Sequence, residues 1–310
     1  MTALRALLTA LVLALLASGC GQDTVSTAVD EPPVEGGSAG PPGEPVLEVE
    51  QTGGFRPVGA AFASMPELTV LADGRAFTLG PIPAVYPGPA LPNVRVHQLD
   101  PSQVAELEEL ARGAGLLSPP PDYGQTLVAD ATTTVVRLHV DSRAYEHQAY
   151  ALGFAPGPAA MPGEPAAVPG EPAATPGGPR GRLQPLPGPM GGLSAEARAA
   201  RERLQAFIEA VHQVVQSAGP GEAYAPEAFA VQAAPATAGD REGPVQPAVR
   251  PWPLPGVDLS AAGECVVVAG QDALTLRPVL GDADALTRFE QSGTRYAVAV
   301  RPLLPAEDGC

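Results

Sequence analysis

The feature that most constrains the fold is a proline-rich repeat in the middle of the chain. Residues 161–167 and 168–174 share the pattern Pro-Gly-Glu-Pro-Ala-Ala after one variable residue, and a shortened copy follows. Proline removes a backbone donor and clashes with the preceding helical turn, so this period of seven cannot be a coiled coil. Residues 155–192 are therefore predicted to be an extended, low-complexity Pro/Gly-rich insert. Slippage in a tolerant loop explains the repeat, and a ligand for a proline-binding module is the alternative.

The amino terminus has the order of an export signal. Arg5 precedes an apolar run over residues 6–17, and small residues lead to Cys20. The run is shorter than the about 20 residues that a permanent membrane helix needs. Residues 16–20, Leu-Ala-Ser-Gly-Cys, resemble the lipobox of a bacterial lipoprotein signal peptide, although leucine is commoner than alanine at the position of Ala17. A secretory signal with an incidental cysteine is the alternative.

The resemblance covers residues 1–20 only and indicates no functional family; the alanine-, glycine- and proline-rich composition is typical of a high-GC bacterium. It implies that residues 1–20 are a signal peptide, removed before Cys20. It also implies a diacylglyceryl thioether on Cys20 and a fatty acyl group such as palmitate on the new amino group. Two or three lipid chains hold a protein at a membrane far more firmly than one. The implied location is the extracytoplasmic face of the cell membrane.

The segment after Cys20 is predicted to be a tether. Residues 21–51 hold seven acidic residues and no basic or aromatic one. Such a composition buries too little apolar area to offset chain entropy, which predicts a disordered acidic tether.

Composition excludes several functions. The formal net charge is −16 and all 18 basic residues are arginine. Nucleic-acid binding needs a basic surface, so no nucleic-acid partner is expected. Without lysine, Schiff-base chemistry, a phosphate-loop lysine and a Ser–Lys dyad are excluded. The four histidines show no metal-ligand spacing, and no nucleophile motif occurs, so neither a metal, a cofactor nor a catalytic residue is predicted.

Residues 52–154 are predicted to form an α+β unit. Asp73-Gly74 separates two strand-like runs, which indicates a hairpin. Asp100 begins a capping box for a helix over residues 100–112. A two-residue turn at Asp141-Ser142 would place Arg137 opposite Glu146 and Val136 opposite His147.

The second half is predicted to contain a long helix and a second α+β unit. Residues 193–219 carry an amphipathic stripe, with Arg201 on its polar side, and residues 220–310 form the second unit. Strand, helix and hairpin follow in the same order in both units, which suggests two similar units, although this order is also common by chance. The predicted fold class is α+β: antiparallel sheets with hairpins packed against two or three helices.

Two cysteines remain after lipidation of Cys20. Outside the cytoplasm, Cys265 and Cys310 are predicted to form a disulfide. A reactive thiol at Cys265 is the alternative, but its neighbours are Glu264 and valines rather than basic groups.

The sequence favours a non-catalytic binding or scaffolding domain at the cell envelope, although it does not decide whether the chain is an enzyme. The expected partners are the membrane, through Cys20, and an envelope protein or ligand of unknown identity. An envelope hydrolase of an unrecognised family is one alternative. An inhibitor-like module that presents the proline-rich residues 81–92 to a protease is another. Aromatic side chains that could line a binding surface are Tyr86, Tyr123, Tyr145, Tyr150 and Trp252.

Overall fold

The computed structural model describes residues 43–56, 59–153, 192–237 and 245–310. The predicted signal peptide, Cys20 and most of the tether lie outside the described residues, as does the predicted insert apart from Gly192. None of the helices within the described ranges is long and apolar enough to cross a membrane.

The described residues form three helices and twelve strands. The helices are α1 (Pro101–Gly113), α2 (Ala195–Ser217) and α3 (Gln271–Gly281). The strands of the first half are β1 (Pro45–Gly53), β2 (Leu68–Leu71), β3 (Arg75–Leu79), β4 (Val94–Gln98), β5 (Thr132–Val140) and β6 (Arg143–Tyr150). Those of the second half are β7 (Glu222–Ala223), β8 (Ala228–Pro235), β9 (Val249–Pro251), β10 (Val266–Ala269), β11 (Arg288–Gln291) and β12 (Thr294–Pro302).

The strands form two sheets, which confirms the α+β class. The seven-stranded sheet has the order β6-β5-β1-β2-β3-β4-β7 and all its neighbours are antiparallel. The five-stranded sheet has the order β10-β8-β12-β11-β9, and only the β9–β11 pair is parallel. The apolar stripes of α1 and α2 join the core of the larger sheet, and α3 joins the core of the smaller one.

Tight turns place the predicted hairpins. Gly74 between β2 and β3 has a φ of +84°, and an added Cβ would lie 2.5 Å from the Leu99 carbonyl oxygen, so only glycine fits. Asp141 and Ser142 both have positive φ, as a two-residue hairpin turn with the twist of its strands requires. The predicted pairs Arg137–Glu146 and Val136–His147 are confirmed.

Local signals also place the helices. The Asp100 carboxylate accepts from the backbone of Ser102 and Gln103, and the Gln103 side chain accepts from the Asp100 backbone, which completes the predicted capping box. The predicted apolar stripe of α2 is buried along its whole length. The placement of Arg201 on the polar side was wrong, because Arg201 is only 2% exposed.

The structure corrects the end of the predicted tether. Residues 45–51 belong to β1, which lies between β2 and β5 inside the larger sheet. Leu47 and Val49 enter the core, while Glu48 and Glu50 on the other face contact Arg137. The acidic composition hid a half-buried strand because its charges alternate with apolar residues.

The suggestion of two similar units is not supported by the strand order. In the larger sheet, strands β1, β2 and β3 lie between β4 and the β5–β6 hairpin, and β5 is the hairpin strand next to them. In the smaller sheet, only β8 lies between β10 and the β11–β12 hairpin, and β12 is the hairpin strand next to β8. The limits of the units also differ, since β7 from the predicted second unit pairs with β4.

Candidate functional site

The proline-rich loop of residues 81–92 projects apolar side chains into solvent. Ile82 is 72% exposed, Val85 62% and Tyr86 69%. Leu79, at the end of β3, is also exposed. Single exposed apolar residues are ordinary on a protein surface, whereas a cluster within one short segment is a feature of contact surfaces.

Both ends of this loop are fixed by hydrogen bonds. At its base, Gly80 N–H donates to the Asn93 carbonyl at 2.6 Å, and the Asn93 amide donates to the Pro81 carbonyl at 2.9 Å. On its return, Ala285 N–H donates to the Gly88 carbonyl at 2.8 Å, and the Ala90 N–H donates to the Ala283 carbonyl at 3.1 Å. Ala90 and Leu91 also pack on the core of the smaller sheet. The exposed residues therefore lie on a loop that is anchored on both sides.

The composition of the loop suits burial against an apolar surface. Prolines at positions 81, 83, 87, 89 and 92 fix φ and carry no N–H group, so few donors would have to be desolvated. Residues 79–94 contain no charged side chain. Contact through this loop would therefore depend on shape and apolar area rather than on ion pairs.

The predicted aromatic residues do not form one surface. Trp252 is buried, donates its indole N–H to the Val257 carbonyl at 3.1 Å and packs edge-on against Phe289. Tyr145 packs against the core of the larger sheet. Tyr86 alone is exposed, while Tyr123 and Tyr150 contribute to a separate cavity.

That cavity, of about 530 Å³, lies between strand β6 and the segment of residues 120–125. We call it the β6 slot. The β6 side is formed by Glu146, Gln148 and Tyr150, and Thr133 of β5 extends it. Because β6 is the last strand of its sheet, no strand of the described ranges lies on the other side of its backbone. Sequence reasoning missed this slot, since the hairpin was predicted but not its position at the sheet edge.

Buried polar contacts hold the wall of the β6 slot in place. His147 is fully buried, with Nε2 2.8 Å from the Leu116 carbonyl and Nδ1 2.8 Å from the Tyr123 hydroxyl. The carbonyl can only accept, so Nε2 carries the proton and Nδ1 accepts from the tyrosine. Burial raises the pKa of Tyr123 to about 12, which keeps its hydroxyl protonated. Arg201 donates to the Tyr123 carbonyl at 3.3 Å.

A second cavity, of about 520 Å³, lies beside the cysteine pair. Cys265 and Cys310 are at disulfide distance, with 5.8 Å between their Cα atoms, so the structure brings the predicted pair together. The cavity is acidic, with Glu48, Glu50 and Glu264 in its lining. Its one lining cation, Arg301, donates both to Glu307 at 3.0 Å and to the Gly309 carbonyl at 3.2 Å.

The remaining histidines are dispersed. His97 lies between the Gly219 carbonyl and the Thr78 hydroxyl, and His139 is exposed. His212 Nε2 lies 2.9 Å from Glu67, and this hydrogen bond lowers the pKa of Glu67. No three metal-ligating side chains come together within the described ranges.

Comparisons with protein-family models, with characterised proteins and with solved structures find no match for this chain. The loop of residues 81–92 and the two cavities therefore rest on their own geometry.

Proposed function

We propose that this protein is a lipid-anchored, extracytoplasmic binding domain that presents residues 81–92 to a protein partner at the cell envelope. The observation that carries the proposal is the exposure of Ile82, Val85 and Tyr86 on a loop anchored at both ends. A preformed loop loses little conformational entropy when it is bound, so more of the free energy of its apolar contact contributes to affinity. The lipobox resemblance at Cys20 supports the location.

The size of the loop predicts a weak contact. Burying three such side chains contributes about 1.5–3 kcal/mol each, and association opposes this with at least about 4 kcal/mol of lost freedom. The loop alone would therefore bind transiently. An anchor on Cys20 would confine domain and partner to one surface, which raises their effective concentration without any new contact.

Site-specific photo-crosslinking tests the loop contact in cells. A photoreactive phenylalanine analogue at Tyr86 should give one discrete protein adduct, and Ile82→Ser with Val85→Ser should remove it. The matched control sites are Phe55 and Leu127, which are 88% and 68% exposed and lie outside this loop. The proposal is wrong if Tyr86 gives no protein adduct, or if the two control sites give the same adduct. An adduct with lipid alone would assign the loop to the bilayer instead.

The anchor has a separate test. Cys20→Ser should move the protein from the membrane fraction to the soluble fraction and abolish incorporation of labelled palmitate. Retention of the unlipidated variant at the membrane, with its leader attached, would contradict the anchor. The photo-crosslinking experiment would still test the loop contact independently of the anchor.

A further inference from the structure

We propose that the β6 slot binds an extended, basic polypeptide segment, which adds to the edge of the seven-stranded sheet as an eighth strand. This site is distinct from the loop of residues 81–92 and goes beyond the function proposed above.

The register of β6 shows which backbone groups face the slot. Ala151 N–H donates to the Thr132 carbonyl at 2.8 Å, and the Thr132–Ala151 pair continues the β5–β6 register. Backbone groups alternate in direction along an antiparallel strand, so those of Glu146, Gln148 and Tyr150 point away from β5. The Tyr150 carbonyl already accepts from Arg201 at 2.7 Å, as does the Ala151 carbonyl.

The outward groups of Glu146 and Gln148 are free for pairing. Within the described ranges, neither residue makes a backbone hydrogen bond to a segment outside the sheet. The stretch from Glu146 to the N–H of Tyr150, short of the carbonyl that Arg201 occupies, is about 13 Å long at the rise of a strand, which accommodates about five extended residues. Main-chain bonds to such an edge give affinity that is independent of sequence, and side-chain pockets give specificity.

The charge of the slot selects a basic segment. Asp122 and Glu146 line it. Glu146 shares its counter-ion, Arg137, with Glu48 and Glu50, so three carboxylates surround one guanidinium. Arg143 lies at the far end of β6 and is not part of the lining. The net negative charge favours arginine or lysine side chains on the bound strand.

Two other occupants fit less well. Between residues 161 and 179 a proline occurs every three or four positions, so this part of the chain lacks the regular N–H groups that strand pairing uses. A second copy would bring its own Asp122 and Glu146 to this edge, so charge complementarity favours a basic segment instead.

Fluorescence anisotropy with the full chain in neutral detergent tests the proposal. The probe is a labelled Arg-Val-Arg-Val-Arg peptide with blocked ends, and the charge-reversed Glu-Val-Glu-Val-Glu peptide is its control. We expect saturable binding of the basic probe only, weakened about tenfold when two N–H groups on one edge of the probe are N-methylated. Each edge of the probe is methylated in turn, and the edge whose methylation weakens binding more is the one that pairs with β6. Equal binding of both peptides, or insensitivity to N-methylation on either edge, would overturn strand addition.

A proline scan of β6 adds a protein-side test. Gln148→Pro removes an N–H that points into the slot and leaves the bonds to β5 in place, so binding should fall about tenfold. Ala144→Pro is the matched control, since its N–H faces the same side outside the slot lining. If Gln148→Pro fails to fold, the N-methylated probe decides the question on the unaltered protein. A dimer that Gln148→Pro converts to monomer, with no peptide binding, would assign the edge to a second copy.

Discussion

Arg201 links helix α2 to two other segments of the larger core through backbone carbonyls. It donates to Tyr123, Tyr150 and Ala151, and no carboxylate of the described ranges pairs with it. Burial lowers the pKa of Arg201, since the charged form is poorly solvated there. The contacts join the end of β6 to the wall of the slot.

We expect Arg201→Met to destabilise the protein by about 2–4 kcal/mol, because two buried carbonyls and one partly buried carbonyl would lose their charged donor. Chemical denaturation measures the loss. Arg203→Met is the matched control, since Arg203 is exposed on the same helix and should change stability by less than about 0.5 kcal/mol. Equal effects of the two substitutions would show that the buried donor is not important.

Two tyrosines should ionise late in an alkaline titration. Burial raises the pKa of Tyr123 to about 12; burial, followed by the carboxylates of Glu227 and Glu307, raises that of Tyr224 to about 12. Tyr224 also donates its hydroxyl to the Leu303 carbonyl at 2.8 Å.

In the unfolded chain these phenols lose their protons near pH 10, before the folded protein does. Their contribution to stability is therefore complete below about pH 10 and is lost as the pH rises towards 12. Phenolate absorbance should show late ionisation of Tyr123 and Tyr224 in the folded protein and no such delay in denaturant. Tyr224→Phe should remove the late ionisation of Tyr224 and leave that of Tyr123. An unchanged titration curve would contradict the assignment.

Sequence pattern predicts burial along α2 but not the exception at Arg201. Helical spacing places apolar residues inward, and an arginine is expected outside because its charge favours water. Its burial depends on carbonyls from β6 and from the segment before β5, which lie far away in the chain. Such a long-range contact has no local signal.

At the scale of elements, Arg137 connects β1, β5 and β6. It lies directly opposite Glu48 on one side and Glu146 on the other, and contacts Glu50 as well. Partial burial acts to lower the pKa of Arg137, but the hydrogen bonds that it donates to Glu50, Glu146 and Glu48 together raise it. These ion pairs favour the observed register of the three strands.

We expect Arg137→Gln to destabilise the protein by about 1 kcal/mol, since the site is partly exposed and solvent screens the ion pairs. The loss should shrink at high salt because screening weakens the pairs that the substitution removes. Arg75→Gln provides a comparison, as Arg75 pairs with a single carboxylate, Asp73. A loss independent of salt would contradict the electrostatic explanation.

The predictability of an element depended on whether its signal was local. The β5–β6 hairpin was predicted with its register because a two-residue turn and strand alternation determine it. Strand β1 was missed, although Leu47 and Val49 alternate with Glu48 and Glu50. The acidic composition of this segment predicts disorder, whereas its period of two predicts a strand. In addition, β1 gains its partners only from β2 and β5 later in the chain.

At the scale of the whole molecule, the cysteine pair brings the carboxyl-terminal residue to the residue that precedes strand β10. Cys310 lies 45 residues after Cys265, and the intervening loop contains α3 and the β11–β12 hairpin. In addition, Arg301 binds Glu307 and the Gly309 carbonyl, so the tail has non-covalent contacts of its own.

The chain-entropy argument for this loop gives about 4 kcal/mol of stabilisation, which Cys310→Ser should largely remove. Free-thiol titration of the unfolded, exported protein without reductant should find no thiol. Two titratable thiols would reject the bond. Ser260→Ala supplies a control substitution at an exposed site in the same half of the chain.

Topology was the least predictable level. The order of elements was predicted well enough to give the α+β class, but not the pairing of β4 with β7 or the packing of residues 88–91 on the second core. Both contacts join segments that are more than 100 residues apart, and sequence period carries no information about which edge meets which.

The position of β1 has a mechanical consequence. The chain enters the larger sheet directly at a strand bonded on both sides, to β2 and to β5. A pull on the amino-terminal segment, along the axis of β1, would load two ladders of hydrogen bonds in shear at once, whereas an edge strand can be peeled off one bond at a time. The domain is therefore attached to whatever precedes residue 43 at a point that resists traction.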